Sequence, residues 1–344
     1  MTATASGVAV PGPLSAKGRV WRIADADPNA VRRMMTVADL PEPAARVLVG
    51  RGVAPEEAEA LLRPKLRALT PDPSTLIDLD LAAARLADAV ERAETVGVLT
   101  DYDVDGATSA ALLIRLLRAL GVATALEAPD RIRDGYGPNI GALRRLRDGG
   151  ATLVVCLDCG ATAHEPLAAA AAEDIPVIVV DHHQADGPPP PALAVVNPNR
   201  PDDRSGMGAL AAVGVTFLLG VGLLRALRGR GAFGEGRPEP DLKALLDLVA
   251  LGTVADVVPL LGLNRAFVAQ GLKVMAAGGN PGIAALMAAA AVDGPPDAAT
   301  CGYTLGPRVN AGGRVGRADA GTRLLIAEDA EEAAALAALL DADN

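Results

Sequence analysis

The central part of the chain alternates between short apolar runs and segments with helical spacing. The apolar runs are typical of buried strands and cover residues 96–99, 123–127, 152–157 and 177–180. The helical segments between them cover residues 107–120, 140–147 and 165–172. Strands that alternate with helices form parallel βαβ units, so we expect an α/β fold with helices on both faces of a parallel sheet.

Helical spacing also dominates on either side of this alternating region. Before it, residues 40–69 have a helical pattern. After it, a mainly helical region is predicted from the segments 209–227, 242–254, 266–276, 283–291 and a last alanine-rich helix from Glu328. Two stretches rich in glycine and proline, 187–191 and 229–240, are predicted to be loops.

Composition narrows the classes of function. The 344 residues are enough for two domains with substantial cores. A formal charge of -10 opposes nonspecific attraction to a polyanion, and only 2% of residues are aromatic, which leaves few side chains for stacking on bases. Any nucleic-acid binding must therefore be local, at sites where bound divalent cations neutralise clustered carboxylates.

The cysteines and the N-terminus bear on the cellular compartment. An odd number of cysteines, Cys156, Cys159 and Cys301, cannot form a disulfide framework and favours a reducing compartment. A zinc site is not favoured, because the Cys-x2-Cys pair lacks two further ligands nearby. Residues 1–17 do not resemble a secretory signal and are predicted to be a disordered tail. We expect a cytoplasmic protein without a transmembrane segment.

The first chemically distinctive motif follows the apolar run at 96–99. Asp101, Asp103 and Asp105 alternate along the chain, and alternate side chains of an extended segment point to one side. Three converging carboxylates repel one another unless a cation lies among them. A divalent metal site explains them better than the alternative, a solvated turn in which Asp105 caps the next helix.

Two further strand ends carry side chains that bind metals. Asp158 follows the run 152–157, and Asp181, His182 and His183 follow the run 177–180. Aspartate with a minority of histidine and no thiolate favours Mn²⁺ or Mg²⁺. A purely structural histidine pair is the alternative, and the third histidine, His164, is interpreted as a surface residue at a helix start.

Three weaker features complete the set of candidate residues. Asp256 ends an apolar helix, where an isolated acid is more often a cap or an ion-pair partner than a ligand. The glycine-rich segment 306–317 offers guanidinium and amide groups that suit phosphate, although a solvated basic loop has the same composition. Its candidate phosphate-binding residues are Arg308, Asn310 and Arg314, and a smaller element of the same character contains Arg131 and Tyr136.

Six motifs in this order resemble the motif series of the DHH phosphoesterases. They are DYDVDGATS, PDRIRDGYG, LDCG, DHH, GTVADVVPL and GPRVNAGGR, and the resemblance extends over almost the whole chain from about Leu40. It departs at Leu99, where many members of the family have a histidine. The resemblance implies a phosphodiesterase with two divalent metal ions, Mn²⁺ or Mg²⁺, that removes nucleotides from the 5′ end of single-stranded DNA in repair and recombination.

The resemblance also assigns roles to the candidate residues. It implies that Asp158 bridges two ions and that His183 lies on the phosphate side, with Asp101 and Asp181 as supporting acids. It implies metal ligation by Asp103, Asp105, Asp158, His182 and Asp256. It implies that Arg308, Asn310 and Arg314 hold phosphates of single-stranded DNA, and that the other partners are a single-strand-binding protein or a helicase rather than a membrane.

The same resemblance predicts the domain organisation. Residues 1–40 are expected to be a disordered tail and lead-in, and 41–260 the DHH phosphoesterase domain with a helical lead-in. Residues 261–344 are expected to be a helical connector that leads to a DHHA1-type domain, whose Gly-Gly-His motif does not occur before Asn344. Two other functions remain open: a phosphodiesterase for short oligonucleotides or cyclic dinucleotides, and a noncatalytic scaffold.

Overall fold

The computed structural model describes residues 7–9, 15–20, 22–129, 135, 137–314 and 316–344. The chain forms two compact units, Met1–Lys65 and Leu66–Asn344. The strands are β1 (Gly7–Ala9), β2 (Arg22–Ala24), β3 (Val96–Thr100), β4 (Thr124–Glu127), β5 (Leu153–Leu157), β6 (Val177–Val180) and β7 (Ala194–Val196). The helices up to the end of the sheet are α1 (Pro28–Ala38), α2 (Glu42–Gly50), α3 (Ala58–Leu62), α4 (Leu66–Leu69), α5 (Leu79–Glu91), α6 (Val104–Ala119), α7 (Ile140–Asp148) and α8 (His164–Ala172). The remaining helices are α9 (Ala212–Gly229), α10 (Leu246–Ala255), α11 (Gly262–Ala276), α12 (Pro281–Ala289), α13 (Gly306–Val309), α14 (Ala320–Ile326) and α15 (Ala330–Asp343).

The first unit is built around α1. Its buried residues Val31, Met34 and Ala38 recur at helical spacing and pack with Ala45 and Ala58 from the two following helices. The carboxylate of Asp27 caps α1 by accepting hydrogen bonds from the first free backbone N–H groups. A small amphipathic helix thus supplies this unit with a core of its own.

The second unit contains a five-stranded parallel sheet in the order β4-β3-β5-β6-β7. Successive residues of each strand face opposite sides. Val155 of β5 lies in a core with α5, α6 and α9, whereas its neighbours Val154 and Cys156 lie in a second core with α7 and α8. The predicted fold class, a parallel sheet with helices on both faces followed by a helical region, is confirmed.

The order of the strands creates a crevice at one edge of the sheet. From β3 the chain crosses through α6 to β4 on one side, and it then returns through α7 to β5 on the other side of β3. The connections that leave β3 and β5 therefore diverge. A crevice opens between the carboxyl ends of those two strands, where open α/β sheets bind their ligands.

The structure adds elements that the sequence pattern does not predict. Strand β7 follows the loop 187–191 and has only three residues, which is too short for a periodic signal. Residues 7–9, inside the predicted disordered tail, pair with β2 as an antiparallel ribbon, and the other tail residues up to 14 lie outside the described ones. The domain boundaries drawn from the sequence remain a prediction.

Helix α9 combines length with a strongly apolar composition. Among the described residues it is the one helix long and apolar enough to cross a membrane, with a mean hydropathy of 1.5, but 72% of that window is buried inside the protein. It packs against α5, α6 and α10. Such burial is that of a core helix, which is apolar on every side.

Helices α10 and α11 cross at Gly271, and this close approach generates a prediction. A Cβ atom at Gly271 would lie 2.1 Å from the Leu246 carbonyl oxygen and 2.6 Å from Ala250 Cβ. We expect Gly271→Ala to lower the free energy of unfolding by about 1–3 kcal/mol, because backbone must move to admit the methyl group. In the control Gly229→Ala, a Cβ would meet nothing within 4 Å, so denaturant titration should show no loss of stability.

A buried carboxyl group on α10 generates a second prediction. Burial raises the pKa of Asp247 from 3.8 to about 6, while its hydrogen bond from the Leu248 N–H and the charge of Arg115 act in the opposite direction. Because the folded-state pKa is the higher one, this group stabilises the fold fully below pH 3.8 and loses that contribution as the pH rises through about 6.

Asp247→Asn should remove this pH dependence. Between pH 4 and pH 7 the stability of the variant should improve relative to wild type by about 2–3 kcal/mol. The measurement is urea unfolding at both pH values, with exposed Asp293→Asn as the control for loss of one charge. Equal pH dependence in wild type and Asp247→Asn would contradict the burial effect.

Candidate metal centre

The loop after β3 presents its carboxylates to the crevice. Asp103 caps α6 by accepting a hydrogen bond from the Gly106 N–H at 2.9 Å. Asp105, in the first turn of α6, is buried and accepts hydrogen bonds from the backbone N–H groups of Ala212 at 2.6 Å and Val213 at 2.9 Å. The alternative of a solvated turn capped by Asp105 is therefore wrong, because Asp103 is the cap and Asp105 is buried.

A glycine makes this tight turn possible. A Cβ atom at Gly106 would lie 2.5 Å from the Asp101 carbonyl oxygen and 2.9 Å from Thr100 Oγ1. Only glycine lets the first turn of α6 approach the end of β3 so closely. The turn therefore holds Asp101 and Asp103 beside each other at the crevice.

Asp158 occupies the centre of the site in a strained conformation. It follows β5 with a φ of 57°, in the left-handed region that few residues other than glycine adopt. Its side chain is 1% exposed, and its Oδ1 atom has no hydrogen-bond partner within the protein. A buried carboxylate oxygen without a donor is costly unless a cation binds it, so this atom fits a metal ligand.

The loop after β6 holds the two histidines in different ways. Asp181 is buried, and its Oδ1 accepts hydrogen bonds from the backbone N–H groups of His182 and His183 and from Nδ1 of His183 at 2.8 Å. Nδ1 of His182 lies 3.0 Å from the Leu210 carbonyl oxygen. A carbonyl oxygen only accepts, so this Nδ1 carries the proton in the neutral ring and Nε2 is left with a free lone pair.

His182 is the side chain that connects the carboxylates. Its Nε2 lies 3.3 Å from Asp158 Oδ1 and 3.6 Å from Asp105 Oδ2. Its Nδ1 lies 3.7 Å from an oxygen of Asp256, which directly follows α10. The structure therefore brings Asp256, the weakest of the sequence candidates, to the same place as the strand-end residues.

The side chains form three overlapping groups that could each hold an ion. The ligand atoms within each group lie within 4.8 Å of one another, and Asp158 and His182 each belong to two groups. The groups are Asp105–His182–Asp256, Asp101–Asp103–Asp158 and Asp158–His182–His183. Asp158 is thus placed between two positions for ions, as a bridging ligand would be, and Asp101 lies among the candidate ligands as well.

The electrostatics of the carboxylates call for positive charge. Burial, and then repulsion from Asp105, raises the pKa of Asp158 well above its usual range. Burial followed by repulsion from Asp256 does the same for Asp105. Burial and the charge of Asp103 raise the pKa of Asp101 to about 6. Divalent cations would replace the protons that these groups otherwise retain, so the donor set fits metal ions.

His183 provides a positive charge at the rim of the site. Its hydrogen bond to Asp181 raises the pKa of the imidazole to about 9, although burial acts to lower it. Burial acts to raise the pKa of Asp181, but the hydrogen bonds from His183 and from the Ala161 N–H, together with the charge of His183, lower it overall. With a half-exposed side chain, His183 is a cation that faces solvent beside the carboxylates.

The glycine-rich segment lies against the loop after β3. A Cβ atom at Gly313 would lie 3.1 Å from the ring of Tyr102, and one at Gly306 would lie 3.4 Å from Ala255 Cβ. The expected open loop is a short helix, α13, and a 3-10 turn at Gly312–Arg314, because Pro307 suits the first helical turn. The segment therefore approaches the residues next to Asp103 and Asp256.

Among the predicted phosphate-binding residues, the structure describes the side chains of Arg308 and Asn310. Arg308 donates hydrogen bonds to Asp341 at 2.7 Å and to the Thr304 carbonyl at 2.8 Å, and Asn310 follows α13 half-buried. Arg131, Tyr136 and the side chain of Arg314 lie outside the described residues. Their contact with phosphate remains a prediction.

The interpretation of His164 as a surface residue at a helix start is confirmed, and the cysteines are buried thiols. All three cysteines are free and buried, and burial raises the pKa of Cys156 to about 12. His164 is exposed at the first residue of α8.

Sequence reasoning missed the backbone groups of Leu210, Ala212 and Val213 and the amide of Asn264. This amide donates hydrogen bonds to the Ala209 and Pro259 carbonyls. Main-chain donors and acceptors leave no residue-type signal, so only the fold reveals them.

Comparison with known proteins shows which family the central part of the chain resembles. Residues 95–253 match the family model "DHH family, N-terminal domain". The single-stranded-DNA-specific exonuclease RecJ of Salmonella typhimurium is 41% identical over 89% of this chain and 53% of its own length. RecJ of Bacillus subtilis is 33% identical over 94% of this chain and 40% of its own length.

A solved structure shows the same fold. The crystal structure of RecJ in complex with Mn²⁺ from Thermus thermophilus superposes on this chain with a TM-score of 0.77 at 34% sequence identity. The match covers 94% of this chain and 45% of the chain in that crystal structure. The chain spans about half the length of the curated relatives it matches. Residues 95–253 therefore belong to the DHH family, and the chain as a whole is similar to RecJ exonucleases.

Proposed function

We propose that this protein hydrolyses phosphodiester bonds at a centre of two divalent metal ions, Mn²⁺ or Mg²⁺, and removes nucleotides from the 5′ end of single-stranded DNA. The observation that carries the proposal is the buried Asp158 oxygen, which lacks a hydrogen-bond partner and lies between two groups of candidate ligands. The chain is similar to RecJ proteins that are named single-stranded-DNA-specific exonucleases, and this similarity supports single-stranded DNA as the substrate.

The protein's own residues would divide the work between holding metal and holding substrate. Asp103, Asp105, Asp158, His182 and Asp256 are the proposed ligands, and Asp101 and Asp181 support them. When bound there, two divalent cations supply activation of water and neutralisation of charge on the attacking and leaving oxygens. The ligands come from rigid strand ends and helix termini, so their geometry is largely set before substrate arrives.

His183 is the proposed phosphate-side group. Asp181 accepts the hydrogen bond from Nδ1 of the ring, and Nε2 is the proposed donor of a charge-assisted hydrogen bond to a phosphate oxygen. The positive charge of His183 also offsets the repulsion between a DNA phosphate and the carboxylates. Arg308, Asn310, Arg314, Arg131 and Tyr136 are proposed to hold the strand farther from the reacting bond.

The biological setting follows from the same proposal. We propose that the protein acts in the cytoplasm, because three free buried thiols suit a reducing compartment. Its proposed role is in DNA repair and recombination. The proposed partner is a single-strand-binding protein or a helicase. Residues 41–260 are proposed as the catalytic domain with its lead-in, residues 1–40 as a tail and lead-in, and residues 261–344 as a connector to a DHHA1-type domain.

The deciding experiment is Mn²⁺-dependent release of mononucleotides from 5′-phosphorylated single-stranded DNA, measured beside duplex DNA and dinucleotides. The proposal predicts release from the single strand only, and none without metal. Cleavage of dinucleotides alone would support the short-substrate phosphodiesterase instead. Failure to bind Mn²⁺ at all would support a noncatalytic scaffold.

Replacing Asp158 should separate metal binding from folding. We expect Asp158→Asn to reduce exonuclease activity by more than about 100-fold and to abolish the rise of a few degrees in melting temperature that saturating Mn²⁺ gives the wild type. Without metal the variant should be at least as stable as wild type at pH 8, because a buried repelling charge is removed.

The matched control for this change is Asp174→Asn. Asp174 has a φ of 55°, close to that of Asp158, but it is exposed and precedes β6, whereas Asp181 and His182 follow the opposite end of that strand. Differential scanning fluorimetry with and without Mn²⁺ should therefore give wild-type behaviour for Asp174→Asn. A full Mn²⁺ response in Asp158→Asn would contradict the ligand role of Asp158.

Replacing His183 tests the phosphate-side role. His183→Gln keeps a hydrogen-bond donor but removes the charge, so kcat/KM on single-stranded DNA should fall by about 10- to 100-fold. Exposed His164→Gln is the control and should retain wild-type kinetics. Unchanged kcat/KM in His183→Gln would show that its charge does not act on the substrate.

A further inference from the structure

One short stretch of backbone, residues 208–213, contacts two candidate metal ligands directly. We call it the bridging segment. Its Ala212 and Val213 N–H groups donate to the two oxygens of Asp105, and its Leu210 carbonyl accepts from Nδ1 of His182. The bridging segment thus fixes one carboxylate from the β3 side and one imidazole from the β6 side of the crevice through main-chain atoms alone.

Two asparagines tie the bridging segment to the loops that carry the ligands. Nδ2 of Asn199 donates to the His182 carbonyl at 2.6 Å and to the Gly208 carbonyl at 3.0 Å. Nδ2 of Asn264 donates to the Ala209 carbonyl at 2.6 Å and to the Pro259 carbonyl at 3.0 Å. One amide therefore joins the bridging segment to the histidine loop, and the other joins it to the loop after Asp256.

We propose that Asn199 and Asn264 are positioning residues for the metal centre, which act through the bridging segment on His182. This inference rests on the metal-dependent function proposed above. The carbonyls that the two amides hold, at 208 and 209, directly precede the Leu210 carbonyl. That carbonyl selects the protonated Nδ1 of His182 and so leaves Nε2 available, 3.3 Å from Asp158 Oδ1.

The chemistry of each position requires an amide. Two carbonyl oxygens converge on one nitrogen, and an NH₂ group offers a hydrogen to each. The same geometry fixes the orientation of both amides, because an oxygen in place of either Nδ2 would face two acceptors. Aspartate would place a negative charge against these carbonyls and would push the bridging segment away from both loops.

Gly208 shows how closely the first amide is fitted. A Cβ atom at residue 208 would lie 2.3 Å from Oδ1 of Asn199. A methyl group there would displace the end of the Asn199 side chain rather than any main-chain atom. Gly208→Ala is therefore a second way to release the Asn199 contact while leaving Asn199 itself in the chain.

The bridging role has a direct test in metal affinity. Mn²⁺ binding by isothermal titration calorimetry is compared among wild type, Asn199→Asp and Asn264→Asp. We expect affinity for at least one of the two ions to fall by about 10- to 100-fold, which is the usual effect of losing a group that orients a metal ligand.

Asn280→Asp is the matched control. Asn280 is also buried, and its Nδ2 donates to the Leu325 carbonyl at 3.2 Å, but it caps α12 away from the candidate ligands. The same chemical change there should leave Mn²⁺ affinity as in wild type, whatever it does to thermal stability. This control separates an effect on the metal centre from a general loss of stability.

The tautomer of His182 provides a second measurement, which does not depend on metal affinity. The chain has three histidines, so ¹⁵N-histidine NMR of the Mg²⁺-saturated protein can follow the tautomer of His182. Gly208→Ala should weaken Mn²⁺ binding and shift the His182 signal away from the pure Nδ1–H tautomer.

Wild-type Mn²⁺ affinity and an unchanged His182 signal in Asn199→Asp and Gly208→Ala would overturn the positioning role. Wild-type protein that binds no Mn²⁺ would overturn the proposed function, and the positioning role with it.

Discussion

Mutual repulsion among buried carboxylates is the constraint around which the second unit is organised. Asp105 and Asp158 are almost fully buried, and burial together with neighbouring acids raises their pKa values well above the usual range. A protein has little reason to bury such a cluster for stability, because each charge loses hydration. Bound cations would make the cluster favourable. The unfavourable burial of these carboxylates therefore indicates a metal site.

The fold makes this unfavourable arrangement possible by fixing its parts separately. The strand order opens a crevice between β3 and β5, and glycine at 106 lets the first turn of α6 close tightly on the end of β3. Main-chain donors at 212 and 213 hold Asp105 in place. The backbone of Asp158 has a positive φ that aspartate rarely adopts by itself. The surrounding sheet and helices therefore hold it in that conformation.

The fold and most residues of the candidate site can be predicted from the sequence, because their signals are local. Apolar runs that end in Asp101, Asp158 and Asp181 predict strand ends, and parallel strands bring such ends together. Asp256 has no comparable local signal, since it follows a helix and meets His182 only in three dimensions. The sequence does not predict β7, because a strand of three residues has no periodic pattern. It does not predict the contacts of Asn264 either, because their acceptors are backbone carbonyls.

We propose that the aspartates and histidines form one centre for two ions, with Asp158 between them. The most direct measurement is anomalous diffraction from crystals of this chain soaked in Mn²⁺. We expect two anomalous peaks about 3.5–4 Å apart, both within bonding distance of Asp158. A single peak, or manganese bound away from Asp158 and His182, would contradict it.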